Sequence, residues 1–224
     1  MKVVDLGTSI GQALHEFSRK GTKYFSGDSK FVRDVFSAGP ELFSGCLGVD
    51  KFDKYRADLE GLGASFLVMD LSTEENVLEL PEADYYIVSK LLHHLGSEEA
   101  MERLVRHILC VSRRGVWLRL LSFEDDIESG EGALSKYDLR FGWSCKYTPC
   151  SVKTIVSYVD TEEWDLELFP ARRLRHTNDF RVLPTTSDPD KEEYEEVMGH
   201  KPQHELVPAV VAEWDLFIGK KHAD

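Results

Sequence analysis

The 224-residue chain lacks long apolar runs, paired cysteines and an excess of basic residues. No apolar stretch approaches the ~20 residues that a membrane-spanning helix needs, and no signal peptide pattern precedes the first apolar segment. The four cysteines show no paired Cys-x-x-Cys spacing, which argues against both a zinc site and a disulfide framework. We therefore expect a cytoplasmic protein with reduced thiols and no metal site.

The deficit of positive charge is uneven along the chain. The formal net charge is −13, and residues 121–224 contain 22 acidic but only 12 basic residues. An acidic surface repels polyanions, so stable docking on long nucleic acid is disfavoured. The length fits one α/β domain spanning residues 1–224.

The first dozen residues predict a strand, a tight turn and the start of a helix. Val3 to Leu6 is apolar around Asp5, and Gly7 and Gly11 follow. In doubly wound α/β folds such a turn brings backbone amides and a helix N-terminus to a cofactor crevice. A dinucleotide site would need Gly-x-Gly-x-x-Gly, but Ser9 and Gln12 occupy the second and third glycine positions. The turn is therefore wrong for NAD.

Further strands follow, and three of them in the first half of the chain carry an acid at the tip or start. Residues 45–50 end in Asp50, residues 64–71 contain Asp70, and Asp84 opens the strand that reaches Ser89. Ser97 predicts the N-cap of a helix whose basic end is expected at residues 113–115, before a fifth strand over 116–121. Residues 2–121 are therefore predicted to contain five strands and two helices in alternating α/β order. A helix opened by Thr148 and Pro149 and two antiparallel strands, 164–169 and 210–218, complete the pattern.

Together these segments resemble the class I S-adenosylmethionine (SAM)-dependent methyltransferases. The Asp-x-Gly-x-x-x-Gly pattern of residues 5–11 is similar to the family's first motif, and residues 84–95, with Leu-His-His-Leu at their end, look like its fourth. The resemblance implies a doubly wound, mostly parallel sheet with an antiparallel terminal strand. It also implies SAM as cofactor and methyl transfer to oxygen or nitrogen of a small-molecule, glycan or protein-presented acceptor.

The family pattern also assigns cofactor contacts. Asp50 is expected to accept hydrogen bonds from the ribose hydroxyls, and Asp70 is expected to accept one from the adenine amino group. The Gly7–Gly11 turn is expected to approach the methionine moiety. Met69 or Leu71 is expected to cover the adenine ring. The full set expected to bind the cofactor is Asp5, Gly7, Thr8, Ser9, Gly11, Asp50, Lys51, Met69, Asp70, Leu71 and Ser89.

The acceptor is less well defined by sequence. Residues 89–92 replace the Asn/Asp-Pro-Pro-aromatic motif of nucleic-acid amino-methyltransferases, and no Pro-Cys pair follows that strand. Both common DNA-base chemistries are therefore disfavoured. His93 is a candidate general base, with a structural or cofactor-side role as the alternative. Lys90, Tyr137 and Arg140 are predicted to bind an acceptor that bears a carboxylate or phosphate.

Three insertions are predicted, at residues 20–44, 122–147 and 176–208. Only Met1 and Lys2 precede the first strand, so we expect the first two insertions to wall the crevice in place of N-terminal helices. Two other functions remain open at this point. One is a non-catalytic protein that keeps the methyltransferase fold as an interaction module, and the other is a different nucleotide-binding α/β enzyme.

Overall fold

The computed structural model describes residues 1–11, 13–15, 33–35, 38–123, 134–138, 143–147, 152–175 and 210–221. Most of them form one seven-stranded sheet with strand order β3-β2-β1-β4-β5-β9-β8, and β6 and β7 form a separate antiparallel hairpin. Parallel pairing joins the first five strands, and β9 runs antiparallel to both β5 and β8. The predicted fold is therefore confirmed. The strands are β1 Val3–Leu6, β2 Cys46–Asp50, β3 Ser65–Val68, β4 Ala83–Ser89, β5 Ser112–Phe123, β6 Leu134–Asp138, β7 Trp143–Tyr147, β8 Trp164–Arg175 and β9 Val210–Lys220.

The first strand lies inside the sheet, as predicted. β1 pairs in parallel with β2 on one side and with β4 on the other, with Leu6 opposite Val49 and Val88. All four of its residues are buried, which a strand needs when both faces of a parallel sheet are covered. The carboxyl ends of β1, β2 and β4 therefore open at the same end of the sheet, which we call the crevice end.

Four α-helices have both ends among the described residues, and two of them were not predicted; residues 13–15 and 33–35 are helical as well. Between β2 and β3 lies α1 and between β3 and β4 lies α2; helices of five or six residues contain too few turns to show a period in sequence. Short 3₁₀ segments cover Gly39–Gly45, Asp53–Tyr55 and Leu92–His94. The helices are α1 Arg56–Gly61, α2 Glu74–Leu78, α3 Glu98–Val111 and α4 Val152–Val156.

The start of α3 was predicted correctly and its end was not. The Ser97 hydroxyl accepts a hydrogen bond from the Ala100 amide at 3.2 Å, as an N-cap does. The helix ends at Val111, however, and the predicted basic end at residues 113–115 belongs to β5. Gly115 serves the sheet rather than a helix end, because a Cβ there would lie 2.9 Å from the Ile218 carbonyl oxygen.

The two faces of the sheet carry separate hydrophobic layers. One face packs against α3 and includes Val4, Tyr86 and Leu118, while the other includes Val3, Ile87 and Trp117. Side chains alternate between faces along a strand, so the second face also receives a row of polar residues toward the crevice end. That row consists of Asp5, Asp50, Ser89, Arg119 and Asp215.

The described part of the first predicted insertion does not wall the crevice. Val35 is fully buried in the second layer, and the Tyr85 hydroxyl donates to the Asp34 carboxylate near the amino ends of the strands. Gly45 lies against the Met1 carbonyl oxygen at that same end. Residues 33–35 and 38–45 therefore cover the opposite end of the sheet, because their apolar side chains complete its core. Residues 16–32 lie outside the described residues.

Within the described ranges, no helix is both long and apolar enough to cross a membrane.

Candidate functional site

The turn after β1 is shaped by left-handed backbone conformations. Gly7 and Gly11 have φ values of 67° and 76°, and Ser9 adopts a φ of 50° despite its side chain. The Gly7 amide donates to the Val49 carbonyl at 2.8 Å, which ties the turn to the end of β2. A Cβ on Gly7 would lie 3.0 Å from Leu91 Cδ1, so a side chain there would collide with the segment that follows β4.

Asp50 is held at the tip of β2 by two backbone amides. Its Oδ2 accepts from the Ser9 amide and its Oδ1 from the Phe52 amide, both at 3.0 Å. The side chain is nearly buried, with 9% of the residue exposed. Each carboxylate oxygen can accept a second hydrogen bond. The arrangement therefore presents a fixed carboxylate that suits two neighbouring hydroxyl groups.

Asp5 lies deeper in the same crevice. Its Oδ2 accepts a 2.7 Å hydrogen bond from the Thr8 hydroxyl, while Oδ1 is buried and has no hydrogen-bond partner among the described residues. Burial raises the pKa of Asp5 to about 7; the Thr8 hydrogen bond opposes this rise and the nearby charge of Asp50 adds to it. Opposite Asp5 on β2 stands Gly48, where a Cβ would lie 2.9 Å from Thr8 Cγ2. The missing side chain at Gly48 thus lets Thr8 reach Asp5.

Asp70, just after β3, is exposed and locally anchored. Its Oδ1 accepts from the Ser72 amide at 3.0 Å and from the Ser72 hydroxyl at 2.8 Å. Partial burial works to raise the pKa of Asp70, but the two Ser72 hydrogen bonds and the charge of Lys51 outweigh it and lower the pKa. The carboxylate is therefore ionised at neutral pH and able to accept a hydrogen bond.

Met69 and Leu71, predicted to cover the adenine ring, expose little surface in this structure. Both side chains are buried in the layer that packs on α3, with 8% and 5% of the residues exposed. Val68, 42% exposed, is an accessible apolar side chain, and Ile10, which follows Ser9 in sequence, is 47% exposed. Val68 pairs with Asp50 in register and so shares its face of the sheet. The alternation of side chains along β3 puts Phe66 and Val68 on the same face of the sheet, and this pattern could have identified Val68 from the sequence.

The turn after β4 has a second strained residue. Lys90 is exposed and has a φ of 57°, and its amide donates to the Arg119 carbonyl at 2.9 Å. Arg119 in turn makes a two-point ion pair with Asp215, with Nε to Oδ1 at 2.8 Å and Nη2 to Oδ2 at 3.1 Å. Ser89 pairs with Arg119 in register and is half-buried. A basic residue inside the apolar run of β5 was the signal for Arg119 that sequence reasoning passed over.

The remaining predicted site residues are only partly located. His93 lies in the 3₁₀ segment after β4, is 4% exposed, and has its ring centroid 4.1 Å from that of His94. A role for it as a base stays a prediction. Tyr137 belongs to β6, and its side chain, like the whole of Arg140, lies outside the described residues. In the described part of the chain, no group of three or more His, Cys, Asp or Glu side chains could hold a metal ion.

Comparison with known proteins identifies the fold and little more. No protein-family model matches this sequence, and no curated protein matches it. Among solved structures, the N-terminal domain of EvdMO1 with SAH bound is similar with a TM-score of 0.53 and 12% identity, over 99% of this chain and 75% of that one. The DhpI–SAM–HEP complex gives a TM-score of 0.51 and 11% identity, over 98% of this chain and 78% of that one.

A third similar structure is a cyclopropane-fatty-acyl-phospholipid synthase-like protein from Lactobacillus casei. Its TM-score is 0.52 at 14% identity, over 97% of this chain and 84% of that one. At such low identities the likenesses show a shared fold, and that fold is the one of class I SAM-dependent methyltransferases.

Proposed function

We propose that this chain is a SAM-dependent methyltransferase whose cofactor lies across the crevice end of β1, β2 and β4. The observation that carries the proposal is the Asp50 carboxylate, held beside the glycine turn by the amides of Ser9 and Phe52. Two similar structures are described with SAM or with SAH, and their crevices belong to the same fold. In such folds ligands bind where the carboxyl ends of neighbouring strands diverge.

The residues at the crevice end fit an adenosyl group. Asp50 offers two acceptor oxygens for the ribose hydroxyls, and Asp70 offers an ionised oxygen for the exocyclic amine of adenine. We propose Val68 and Ile10, rather than Met69 and Leu71, as the apolar contacts of the base. Both are exposed; Val68 pairs with Asp50, and Ile10 follows Ser9, whose amide donates to Asp50. The buried, unpartnered Oδ1 of Asp5 is a further polar atom in the crevice that a ligand would satisfy.

Bound SAM supplies an already activated methyl group, so the protein's own part is to bind, orient and exclude water. The turn fixed by Gly7, and the segment after β4 that packs on it through Leu91, form the two walls of the crevice. Lys90 stands on the second wall with its backbone anchored to Arg119. The ammonium group of Lys90 favours binding of an acceptor that bears a carboxylate or a phosphate. The acidity of the second half of the chain favours a small or protein-presented acceptor over long nucleic acid.

Calorimetric titration with SAM tests the cofactor, and NAD titrated in parallel is the control for a different nucleotide enzyme. An assay that couples SAH release to its hydrolysis then screens anionic small molecules, glycans and peptides as acceptors. Binding of SAM followed by SAH release with an acceptor is expected. Absence of SAM binding would overturn the proposal, and binding without turnover on any acceptor would favour a non-catalytic module.

A further inference from the structure

The loop between β3 and α2 is held to α3 by Arg103. The Arg103 Nη2 donates to the Ser72 carbonyl oxygen at 3.0 Å, and Nη1 lies 3.9 Å from Glu74 Oε2. Ser72 in turn anchors Asp70, because its amide and its hydroxyl both donate to Asp70 Oδ1. A continuous hydrogen-bonded path therefore runs from α3 through Ser72 to the carboxylate that we propose as the acceptor for adenine.

These contacts fix Asp70 and leave one of its oxygens for a ligand. Both Ser72 hydrogen bonds go to Oδ1, and Oδ2 accepts no hydrogen bond from any residue that the structure describes. The backbone of Asp70 is fixed as well, since its carbonyl oxygen accepts from Asn76 Nδ2 at 2.8 Å and from the Thr73 hydroxyl at 3.3 Å. Oδ2 is therefore an exposed acceptor whose position depends on where the loop holds Ser72.

Arg103 occupies this position at a cost in free energy. Its Nε is buried and has no hydrogen-bond partner in the described part of the chain, and an unsatisfied buried donor destabilises the folded state. The loop is already attached to the layer that packs on α3 through Leu71, which is 5% exposed. Apolar packing of Leu71 holds the loop on the sheet without setting the direction of the Ser72 peptide group, whereas a hydrogen bond is directional. The Arg103 contact therefore fits a role in orienting the loop.

We propose that Arg103 is a positioning residue that makes the site selective for a 6-aminopurine, by fixing Ser72 and through it the direction of Asp70 Oδ2. The inference rests on the proposed function and deepens it. An ionised carboxylate only accepts hydrogen bonds, so it pairs with the amino group of adenine and repels the 6-oxo oxygen of hypoxanthine. This discrimination needs a fixed carboxylate, because a mobile one turns away from an oxygen that it repels.

His107 provides a matched control on the same helix. It lies one turn after Arg103 and donates to the Leu80 carbonyl oxygen, at the far end of the segment that joins β3 to β4. Arg103→Met and His107→Leu each remove one hydrogen bond from α3 to a backbone carbonyl oxygen, so both should lower the urea concentration at the unfolding midpoint. Only Arg103→Met should change base selectivity, because Leu80 has no contact with Asp70 in the hydrogen bonds described above.

Calorimetric titration with SAH and with S-inosylhomocysteine, in which a 6-oxo group replaces the adenine amino group, measures the selectivity. We expect the unsubstituted protein to bind SAH about tenfold more tightly than S-inosylhomocysteine. In Arg103→Met this ratio should fall to about twofold, while His107→Leu should keep the full ratio. Arg103→Lys, which keeps a donor for the Ser72 carbonyl oxygen without the planar fork of arginine, should recover part of the ratio.

A double-mutant cycle tests whether Arg103 acts through Asp70. Asp70→Asn should by itself lower the ratio, since an amide both donates and accepts hydrogen bonds. Arg103→Met added to Asp70→Asn should then change the ratio no further, because the two residues act on the same contact. A further fall as large as that in Arg103→Met alone would show that Arg103 acts by another route and would overturn the inference.

The outcomes distinguish this inference from the proposed function. SAH binding with an unchanged ratio in Arg103→Met, or with equal affinity for the two ligands in the unsubstituted protein, would overturn the inference and leave the methyltransferase proposal standing. An equal fall of the ratio in His107→Leu would show that Arg103 only stabilises the fold, and it would overturn the inference too. Absence of binding of both SAM and SAH would overturn both proposals.

Discussion

The hydrogen bonding of polar groups differs between the amino ends of the strands and the crevice end of the sheet. At the amino ends of the strands, polar side chains are paired: the Lys2 amide donates to Asp84 at 2.7 Å, and Arg113 meets Glu82 at 2.8 Å. At the crevice end, Asp5 keeps an unpartnered oxygen, and Ser9 and Lys90 hold left-handed conformations. Unpaired buried groups and strained residues persist where the surrounding fold enforces them, and they concentrate at functional sites. The contrast supports the proposal that ligands bind at the crevice end.

The largest expected effect concerns the charge of Asp5. Because its folded pKa of about 7 lies above the ordinary value of 3.8, the folded state holds a proton between those values that the unfolded chain has released. The contribution of the Asp5 carboxyl group to the free energy of unfolding is therefore fully present below pH 4 and is lost as pH rises to about 7. Asp5→Asn, which mimics the neutral acid, should raise the free energy of unfolding by about 2–4 kcal/mol at pH 8 and change it little at pH 4.

Urea unfolding of the unsubstituted protein and of Asp5→Asn, at pH 4 and at pH 8, measures this difference in the free energy of unfolding. Asp58→Asn is the matched control, because its side chain is exposed, and it should show no such pH-dependent gain. A loss of stability at pH 8 in Asp5→Asn would place the ionised carboxylate in a favourable site and remove the contrast between the two ends.

The next effect tests the ribose contact. Asp50→Ala removes a charged acceptor and frees the amides of Ser9 and Phe52, so SAM binding should weaken by about 1–3 kcal/mol. Asp58→Ala, a nearby exposed acid, should leave SAM affinity unchanged. Calorimetric titration gives both values, and an unchanged affinity in Asp50→Ala would show that the ribose is held elsewhere.

At the amino end the effect should fall on stability alone. Tyr85→Phe removes the hydroxyl that donates to Asp34, which also lies 3.5 Å from Arg114, and should cost about 1–2 kcal/mol of unfolding free energy. SAM affinity should not change, because Tyr85 stands beside the first residue of β1, far from the crevice end. Chemical denaturation and SAM titration of the same variant provide the two readings. A drop in affinity as large as that of Asp50→Ala would show that the two ends are coupled.

The smallest effect concerns backbone strain. Lys90→Gly relieves a left-handed conformation that costs a non-glycine residue about 1 kcal/mol, so the variant should be about 0.5–1 kcal/mol more stable. Lys153→Gly, an exposed lysine in α4, should instead be destabilising, because glycine weakens a helix. Thermal unfolding of both variants compares the signs directly, and a loss of stability at position 90 would mean that the lysine side chain outweighs the strain.

Sequence patterns alone predicted the seven strands of the main sheet and their order along the chain, but not the β6–β7 hairpin, which falls in a predicted insertion. These features are local: apolar runs form strands, glycines mark the turn, and an acid at a strand tip is carried to the crevice by the strand itself. The cofactor class was inferred from the resemblance of residues 5–11 and 84–95 to the class I SAM-dependent methyltransferases. The geometry of the turns after β1 and β4 sets the residue spacing that carries this resemblance.

Tertiary structure decided which of those side chains can be reached. Met69 and Leu71 flank Asp70 in sequence, but their side chains lie in the layer that packs on α3, so the accessible apolar surface belongs to Val68. The pairing of Arg119 with Asp215, 96 residues apart, depends on β9 entering the sheet beside β5. The unpartnered oxygen of Asp5 exists only because β2, β4 and the following turn enclose it. Burial and pairing across the sheet are non-local, and local spacing therefore cannot encode them.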